Sequence, residues 1–200
     1  MPKKDGYYYD LKLSANRPPN YAKGNSNDPV IFTMWKIQGA ESLVTDNKFY
    51  GIIPDGRVFT IDLIQGKKIE DSAADGDLRV TIQRPAQIQS GQKFDWSFSM
   101  EAVGGGVLET HDPYLFEAPD SGYQEKYTVN MVASDSAWEE EIQSKVFYIK
   151  TRDGKVYGHI KIEIIPKYND TGIFSVESVV NPNGSRNLEF DESKATAAGK

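Results

Sequence analysis

The sequence contains no cysteine and only two histidines among its 200 residues. Without cysteine there are no thiolate nucleophiles, disulfides, iron–sulfur clusters or cysteine-ligated zinc sites. His111 and His159 are too few for a three-histidine zinc site, and the HExxH, GxSxG, GxxxxGK[ST] and GxGxxG signatures do not occur. Because no catalytic motif is found, the sequence predicts a protein that is not an enzyme.

Positive charge is scarce, with 23 Lys and Arg residues against 29 Asp and Glu, for a formal net charge of -6. Nucleic-acid binding depends on clustered Lys and Arg, so a nucleic-acid partner is not expected. No apolar run reaches the ~18 residues of a membrane-spanning helix, so no transmembrane segment is predicted in this chain. Aromatic residues make up 12% of the chain, which excludes disorder for most of its length.

Apolar and polar residues alternate along much of the chain, which is the period of a strand with one buried face. The clearest examples are Leu78–Gln83, Phe94–Ala102, Tyr127–Met131 and Val156–Ile164. An Asp-Gly turn at residues 152–154 predicts a tight hairpin before the last of these strands. The predicted fold is all-β, an antiparallel β-sandwich or jelly roll.

Only residues 135–143 favour a helix, which would be short, because Asp or Ser can cap it and glutamates suit its first turn. We expect a single domain over residues 1–190. A subdivision into two small β domains near residues 84–91 stays open as an alternative. Residues 191–200 are polar and small, and they predict a flexible C-terminal tail.

Five stretches resemble a family of uncharacterised exported bacterial proteins that are rich in β structure and carry a signal peptide or lipid anchor. They are Gly39–Thr45, Phe49–Phe59, Ala118–Tyr123, Phe147–Arg152 and Asn181–Glu189. The resemblance implies a periplasmic, surface or secreted location, with the export segment absent from this chain. That family has no assigned activity, so the resemblance transfers no catalytic or binding residue.

Three carboxylates lie within seven residues at Asp71, Asp75 and Asp77. Calcium prefers such oxygen ligands, so the cluster is a candidate metal site. The spacing departs from the EF-hand pattern, and a turn that uses Asp and Gly for its backbone geometry explains the cluster equally well. No other cofactor is expected.

Candidate ligand-binding residues lie mainly in the longest loop-like stretch, residues 104–124, because loops carry most binding surfaces of β-sandwiches. Tyr114 and Tyr123 supply aromatic rings there, and His111 stands in the same stretch. His111 follows no strand pattern and has no marked nucleophile beside it, so a surface role is the alternative.

Tryptophan is present three times, and the three positions differ in pattern. Trp96 follows the core alternation, and Trp35 lies in a stretch that is apolar on both faces, so both are predicted to be packed in the core. Trp138 lies outside any strand pattern beside three glutamates. It is either a cap over the sandwich or a platform on which a ligand stacks.

Three functions are compatible with these features. The first is a non-catalytic extracytoplasmic module that binds a glycan or a protein through loops or a sheet face, which coplanar exposed aromatics would favour. The second is a structural envelope or assembly domain without a small ligand, which uniformly charged faces with one apolar edge or patch would favour. The third is a jelly-roll hydrolase, which needs two carboxyl groups about 5 to 9.5 Å apart.

Overall fold

Strands account for almost all regular structure in the computed structural model, which describes residues 6–8, 35–71, 75–89, 91–112 and 115–199. A three-residue helical turn at Arg152–Gly154 follows the tenth strand. The strands are β1 (Tyr7–Tyr8), β2 (Trp35–Lys36), β3 (Val44–Ile52), β4 (Phe59–Asp62), β5 (Lys67–Ile69), β6 (Leu78–Gln83), β7 (Trp96–Ala102), β8 (Gly106–Glu109), β9 (Lys126–Met131), β10 (Ile142–Thr151), β11 (Val156–Tyr168), β12 (Thr171–Asn181) and β13 (Thr196–Ala197).

These strands form two larger sheets and a two-stranded ribbon of β1 and β2. The six-stranded sheet has the order β13-β3-β12-β11-β10-β8, and the five-stranded sheet has the order β5-β4-β6-β7-β9. All pairings within them are antiparallel except that of β13 with β3, which is parallel. The predicted all-β antiparallel sandwich is confirmed.

The two-residue period of the sequence places one face of each long strand in the interior. In β7 every second residue from Trp96 to Ala102 is buried, and β11 and β12 show the same alternation. The two sheets meet through these faces, where the rings of Phe98 and Phe174 stack with centroids 5.8 Å apart. Burial of aromatic and branched side chains from both sheets is therefore the main source of stability.

One hydrophobic cluster contains residues from both sides of positions 84–91, such as Phe59 and Phe147. Trp96 belongs to that cluster with 3% of its surface exposed, as predicted. The side chain of Trp35 lies outside the described residues. The backbone of Trp35 forms part of β2, which pairs with β1.

The predicted hairpin between β10 and β11 is present, but its turn is longer than a two-residue turn. Thr151 and Val156 are the last paired residues, and Arg152 and Asp153 have φ angles of 52° and 58°. This geometry allows the N–H groups of Arg152 and Asp153 to donate to the carbonyl oxygens of Val103 and Gly104, at 2.7 and 2.8 Å. The turn is thereby joined to the connection that precedes β8.

Residues 135–143, considered for a helix, do not form one: residues 136 and 137 lie in a turn, and β10 begins at Ile142. Asp135 closes this turn locally, since its carboxylate accepts the N–H of Ala137 at 2.9 Å. Such local side-chain bonds compete with helix formation. Among the described residues, no helix is long and apolar enough to cross a membrane.

The C-terminal residues 191–199, predicted to be a flexible tail, instead contact the sandwich. The N–H groups of Thr196 and Ala198 donate to the carbonyl oxygens of Leu43 and Thr45, both at 2.9 Å. Lys194 Nζ donates to the carbonyl oxygen of Ala40 at 2.6 Å. The composition gave no sign of this docking, because the segment is held by hydrogen bonds, mainly of backbone groups, and not by apolar side chains.

Deletion of residues 191–200 should lower the free energy of unfolding by about 1–3 kcal/mol, because each lost hydrogen bond contributes ~0.5–1.5 kcal/mol. Urea denaturation of the full and shortened chains measures the difference. The control is Glu192→Ala, which changes an exposed residue of the same segment. Equal midpoints for the full and shortened chains would show that β13 contributes nothing to stability.

Candidate functional site

An open cleft of about 790 Å³ lies where three loops meet, beside the outer face of the six-stranded sheet. The loops are residues 37–41 before β3, residues 110–112 and 115–118 after β8, and residues 182–190 after β12. Aromatic rings line part of the cleft, and polar or charged side chains line most of the rest. The side chains concerned are those of Phe116 and Tyr148, and of Gln38, Asp112, Glu117, Ser185, Arg186, Asn187 and Glu189.

The first loop is held by side chains of the third. Glu189 Oε2 accepts the backbone N–H groups of Gln38 and Gly39 at 3.0 and 2.7 Å. The side-chain amide of Asn187 donates to the carbonyl oxygen of Gly39 at 2.7 Å. Glu189 is only 8% exposed, so this wall of the cleft is formed by a buried carboxylate that accepts two backbone N–H groups.

The second loop pairs with the third as a short ladder outside the sheets. The N–H of Ala118 donates to the carbonyl oxygen of Arg186, and the N–H of Leu188 donates to that of Phe116, both at 2.8 Å. The guanidinium of Arg186 reaches Glu117 Oε1 at 3.0 Å. These bonds join two walls of the cleft, so its shape is largely set before any ligand binds.

Glu41 reinforces the base of the third loop. Its carboxylate accepts hydrogen bonds from Asn181 Nδ2 at 2.9 Å and from Ser185 Oγ at 2.8 Å. These hydrogen bonds, that of Asn181 first, lower the pKa of Glu41 below its ordinary value. The carboxylate is therefore ionised at neutral pH and holds the turn that follows β12.

Tyr148 forms the floor of the cleft and is 5% exposed. It packs with Ala118 and Leu188 in a small cluster separate from the main core. Burial, and to a smaller extent the charges of Asp112 and Glu117, raise the pKa of Tyr148 to about 12. Two carboxylates therefore lie close enough to the phenol to affect it, which gives the cleft a negative potential.

The cleft is equipped for hydrogen bonding and not for stacking. Phe116 and Tyr148 are 7% and 5% exposed, so only small parts of their rings reach the surface. Glu117, with 70% of its side chain exposed, and Arg186, with 38%, lie at the accessible rim. Such an arrangement suits a ligand with many hydroxyl groups, each of which both donates and accepts.

Of the ligand-binding residues predicted in the loop, Tyr123 and His111 lie among the described residues. Tyr123 lines a cleft of about 420 Å³ together with Lys150 and Asp153. Its hydroxyl donates to the carbonyl oxygen of Pro119 at 3.0 Å, and burial raises its pKa to about 12. His111 is exposed next to Asp112, and Tyr114 lies outside the described residues.

Trp138 lies apart from both clefts and caps the core beside β7. Its indole N–H donates to the carbonyl oxygen of Phe94 at 2.8 Å, and its ring meets that of Phe94 edge to face with centroids 5.9 Å apart. Lys93 Nζ lies 5.2 Å from the Trp138 ring centroid. These contacts correspond to the capping interpretation and leave the ring poorly placed as a stacking platform.

Replacement of Trp138 by alanine should lower the free energy of unfolding by about 2–3 kcal/mol, since partial burial and one hydrogen bond are lost. Trp138→Phe should lose less, because it keeps an aromatic ring against Phe94 and removes only the indole N–H. Guanidinium denaturation of both variants tests this order. A Trp138→Ala variant as stable as the parent would mean that the ring does not cap the core.

The candidate calcium cluster is not assembled around one point. Asp77 is 0% exposed, and its oxygens accept hydrogen bonds from the N–H of Leu63, the hydroxyl of Thr151 and the guanidinium of Arg152 at 2.7–2.9 Å. Asp71 and Asp75 are exposed. Among the described residues, no group of three or more His, Asp or Glu side chains is placed to hold a metal ion.

No sequence motif marks Gln38, Arg186, Asn187 or Glu189 as site residues. The stretch Asn181–Asn187 does carry a signal, because Asn, Pro, Gly and Ser cluster where a functional loop often lies. The pairing of this loop with residues 116–118 could not be read from the sequence, since the two stretches lie far apart along the chain.

Comparisons with known proteins provide no guide to this site. No family model, curated protein or solved structure matches the chain. The interpretation of the cleft therefore depends on its own lining residues, their hydrogen bonds and their charges.

Proposed function

We propose that the protein is a non-catalytic binding module that acts outside the cytoplasm and binds a neutral glycan in the 790 Å³ cleft. The observation that carries the proposal is the hydrogen-bonded framework of the cleft, in which Glu189 and Asn187 fix the loop at Gly39. A cleft whose walls are already ordered loses little conformational entropy when a ligand binds.

The charges of the lining favour a neutral ligand. Asp112, Glu117 and Glu189 supply three carboxylates against the single guanidinium of Arg186, so acidic glycans would be repelled. Sugar hydroxyls can donate to the carboxylates and accept from Arg186 and the Gln38 amide. Hydrogen bonds to charged groups contribute more than those between neutral groups.

Two contacts support a binding role over a hydrolytic one. Glu189 is occupied by two backbone N–H groups, and Glu117 is paired with Arg186. Hydrolysis of a glycosidic bond needs two carboxyl groups directed at the sugar, whereas these oxygens of Glu189 and Glu117 face donors of the protein itself.

The binding test is calorimetry against a panel of soluble neutral oligosaccharides, with sulfated and uronic-acid glycans as the acidic set. We expect at least one neutral ligand with a dissociation constant between about 1 µM and 1 mM, and no binding of the acidic set. Glu117→Ala should weaken binding about tenfold, or ~1.4 kcal/mol. Glu140→Ala, at an exposed glutamate that does not line the cleft, should bind like the parent.

Two results would contradict the proposal. One is the absence of binding across the neutral panel by a protein that unfolds cooperatively. The other is equal weakening by Glu117→Ala and Glu140→Ala, which would show that binding does not depend on the cleft. Hydrolysis of a bound oligosaccharide, detected as new reducing ends, would overturn the non-catalytic assignment.

The proposed location has its own support and its own test. The stretches that resemble exported bacterial proteins, among them Asn181–Glu189, build part of the cleft. Fractionation of cells that express the gene from its natural start should place the protein outside the cytoplasm. Recovery in the cytoplasmic fraction alone would contradict this location.

A second candidate function is an assembly domain, which the surface pattern favours. The outward residues of the five-stranded sheet are polar or charged, as in the cross-strand pairs of Thr81 with Ser99, whose hydroxyls lie 2.7 Å apart, and of Arg79 with Glu101. By contrast, Phe49 is 77% exposed and Tyr168 is 55% exposed, both on strands of the other sheet. Self-association into assemblies larger than a dimer, without any glycan, would support this function.

A further inference from the structure

Strand β3 has one edge that is only partly paired. On one side β12 pairs with residues from Val44 to Ile52, whereas on the other β13 pairs only with Val44 and Thr45. Beyond Ala198 the chain turns away, since the N–H of Gly199 donates to the carbonyl oxygen of Ile64 at 3.0 Å. Among the described strands, none continues along this edge past Thr45.

The hydrogen bonds of β13 show which backbone groups point to that edge. Leu43 and Thr45 accept bonds from β13 through their carbonyl oxygens, and residues two apart in a strand point their backbone groups the same way. Phe49 and Gly51 therefore also direct N–H and C=O toward this edge. Gly51 confirms the direction, because its carbonyl oxygen accepts Lys68 Nζ at 2.8 Å from the neighbouring sheet.

The side chains along this edge alternate in bulk. Phe49 is 77% exposed on the outer face, since Tyr50 and Ile52 are 8% and 0% exposed and point inward. A Cβ atom added at Gly51 would have no neighbour within 4 Å, so a gap lies beside the Phe49 ring. Ile53, on the far side of Gly51, is 40% exposed.

We infer that β3 pairs antiparallel with β3 of a second copy of this chain, about a two-fold axis at residue 50. In this register Phe49 lies opposite Gly51 of the second copy, and each ring covers the other copy's gap. Both residues point their N–H and C=O groups at the edge, so they form a hydrogen-bonded pair. An aromatic ring over a cross-strand glycine is a recognised way to stabilise a sheet edge.

The partner at this edge is a second copy of the chain, because the register is self-complementary. The bulky residue, Phe49, and the gap at Gly51 lie on the same strand at equal distances from the two-fold axis. The pairing consumes the free edge in both copies, so the assembly closes as a dimer. The contact consists of one short strand from each copy. The area that it buries lies below the ~1,200 Å² of stable complexes, so the dimer is weak and reversible. In the dimer the ammonium group of Lys68 loses its hydrogen bond to the carbonyl oxygen of Gly51. It retains its contacts with Glu70 Oε1 at 3.5 Å and with the centroid of the Phe59 ring at 4.8 Å.

The first experiment is sedimentation velocity of the full chain from micromolar to millimolar concentration, without glycan. We expect a reversible monomer–dimer equilibrium. Phe49→Ser should weaken dimerisation about tenfold, or ~1.4 kcal/mol, by removing the ring that covers the gap at Gly51 of the other copy. Tyr168→Ser is the matched control, because it removes another exposed aromatic ring from the same sheet. It should dimerise like the parent.

The decisive variant exchanges the two residues, as Phe49→Gly with Gly51→Phe. Because the register places 49 opposite 51, the exchange restores a ring over a glycine and should recover dimerisation that either single change weakens. An exchanged chain that stays monomeric, when the parent dimerises, would overturn the register. A parent chain that is monomeric at every concentration would overturn the dimer itself.

Amide hydrogen exchange by NMR locates the contact. The N–H groups of Phe49 and Gly51 should gain protection as concentration rises, while that of Tyr50, which points to β12, should not change. Protection of Phe49 and Gly51 in the dilute monomer would mean that another part of the same chain covers the edge, and would overturn the proposal. None of these readouts depends on the glycan cleft.

Discussion

Asp77→Ala should lower the free energy of unfolding by about 3–5 kcal/mol, because it removes one partner of an ion pair that lies between the sheets. Asp77 is 0% exposed, and the guanidinium of Arg152 meets both of its oxygens at 2.9 Å. The same carboxylate accepts from the N–H of Leu63 and the hydroxyl of Thr151. Its removal leaves these donors without their acceptor in the interior.

Asp77 links the two sheets, which is why the effect should be large. It immediately precedes β6 of the five-stranded sheet, whereas Thr151 ends β10 of the six-stranded sheet. Arg152 also reaches Asp62 Oδ1 at 3.1 Å, so the guanidinium joins two carboxylates of one sheet to a hairpin of the other. Hydrogen bonding to Asp77 raises the pKa of Arg152, which keeps its charge fixed.

Urea denaturation with a double-mutant cycle separates the pair from its surroundings. The double variant Asp77→Asn with Arg152→Gln should lose less than the sum of the single changes, because the partners contact each other. Asp55→Asn breaks the exposed pair with Arg57 and should leave the midpoint unchanged. If Asp77→Ala matched this control, the pair would not hold the sheets together.

The strands were predictable because their signal is local. The alternation of apolar and polar residues in β7 and β11 places every second side chain in the core, and burial of that face is what stabilises each strand. The turn at residues 152–154 was predictable for the same reason, since Asp and Gly tolerate positive φ angles.

What the sequence analysis could not supply are contacts between distant residues. Asp77 belongs to an acidic cluster in sequence, yet in the fold it pairs with Arg152, which no local pattern indicates. The docking of β13 and the pairing of residues 116–118 with 186–188 depend on backbone hydrogen bonds across the chain. The cleft is formed by those same contacts, so its residues emerged only with the fold.

Trp138 is a single residue whose environment likewise depends on a contact that the local sequence does not indicate. The absence of strand alternation around it correctly marked a different environment. Whether that environment was a binding surface or a cap depended on Phe94, whose ring and carbonyl oxygen both contact the indole. The segment that carries Trp138 is also held by Trp96, whose own indole N–H donates to the carbonyl oxygen of Glu139 at 2.9 Å.

Trp96→Ala should lower the free energy of unfolding by about 3–5 kcal/mol, as other large-to-small changes in a packed core do. The ring is 3% exposed on the inner face of β7, so alanine leaves a cavity. The lost bond to Glu139 also releases one of the two indole contacts that hold the segment before β10.

Trp96→Phe separates the two contributions, because phenylalanine fills most of the space but cannot donate to Glu139. Trp96→Phe should be less destabilised than Trp96→Ala. Its free energy of unfolding should fall by about 1 kcal/mol because of the missing hydrogen bond, in addition to the effect of the changed packing. Guanidinium denaturation of both variants, monitored by far-ultraviolet circular dichroism, measures the difference in stability without relying on tryptophan emission. A loss below about 1 kcal/mol for Trp96→Ala would contradict the packed core position, since buried indoles of this kind contribute several times more.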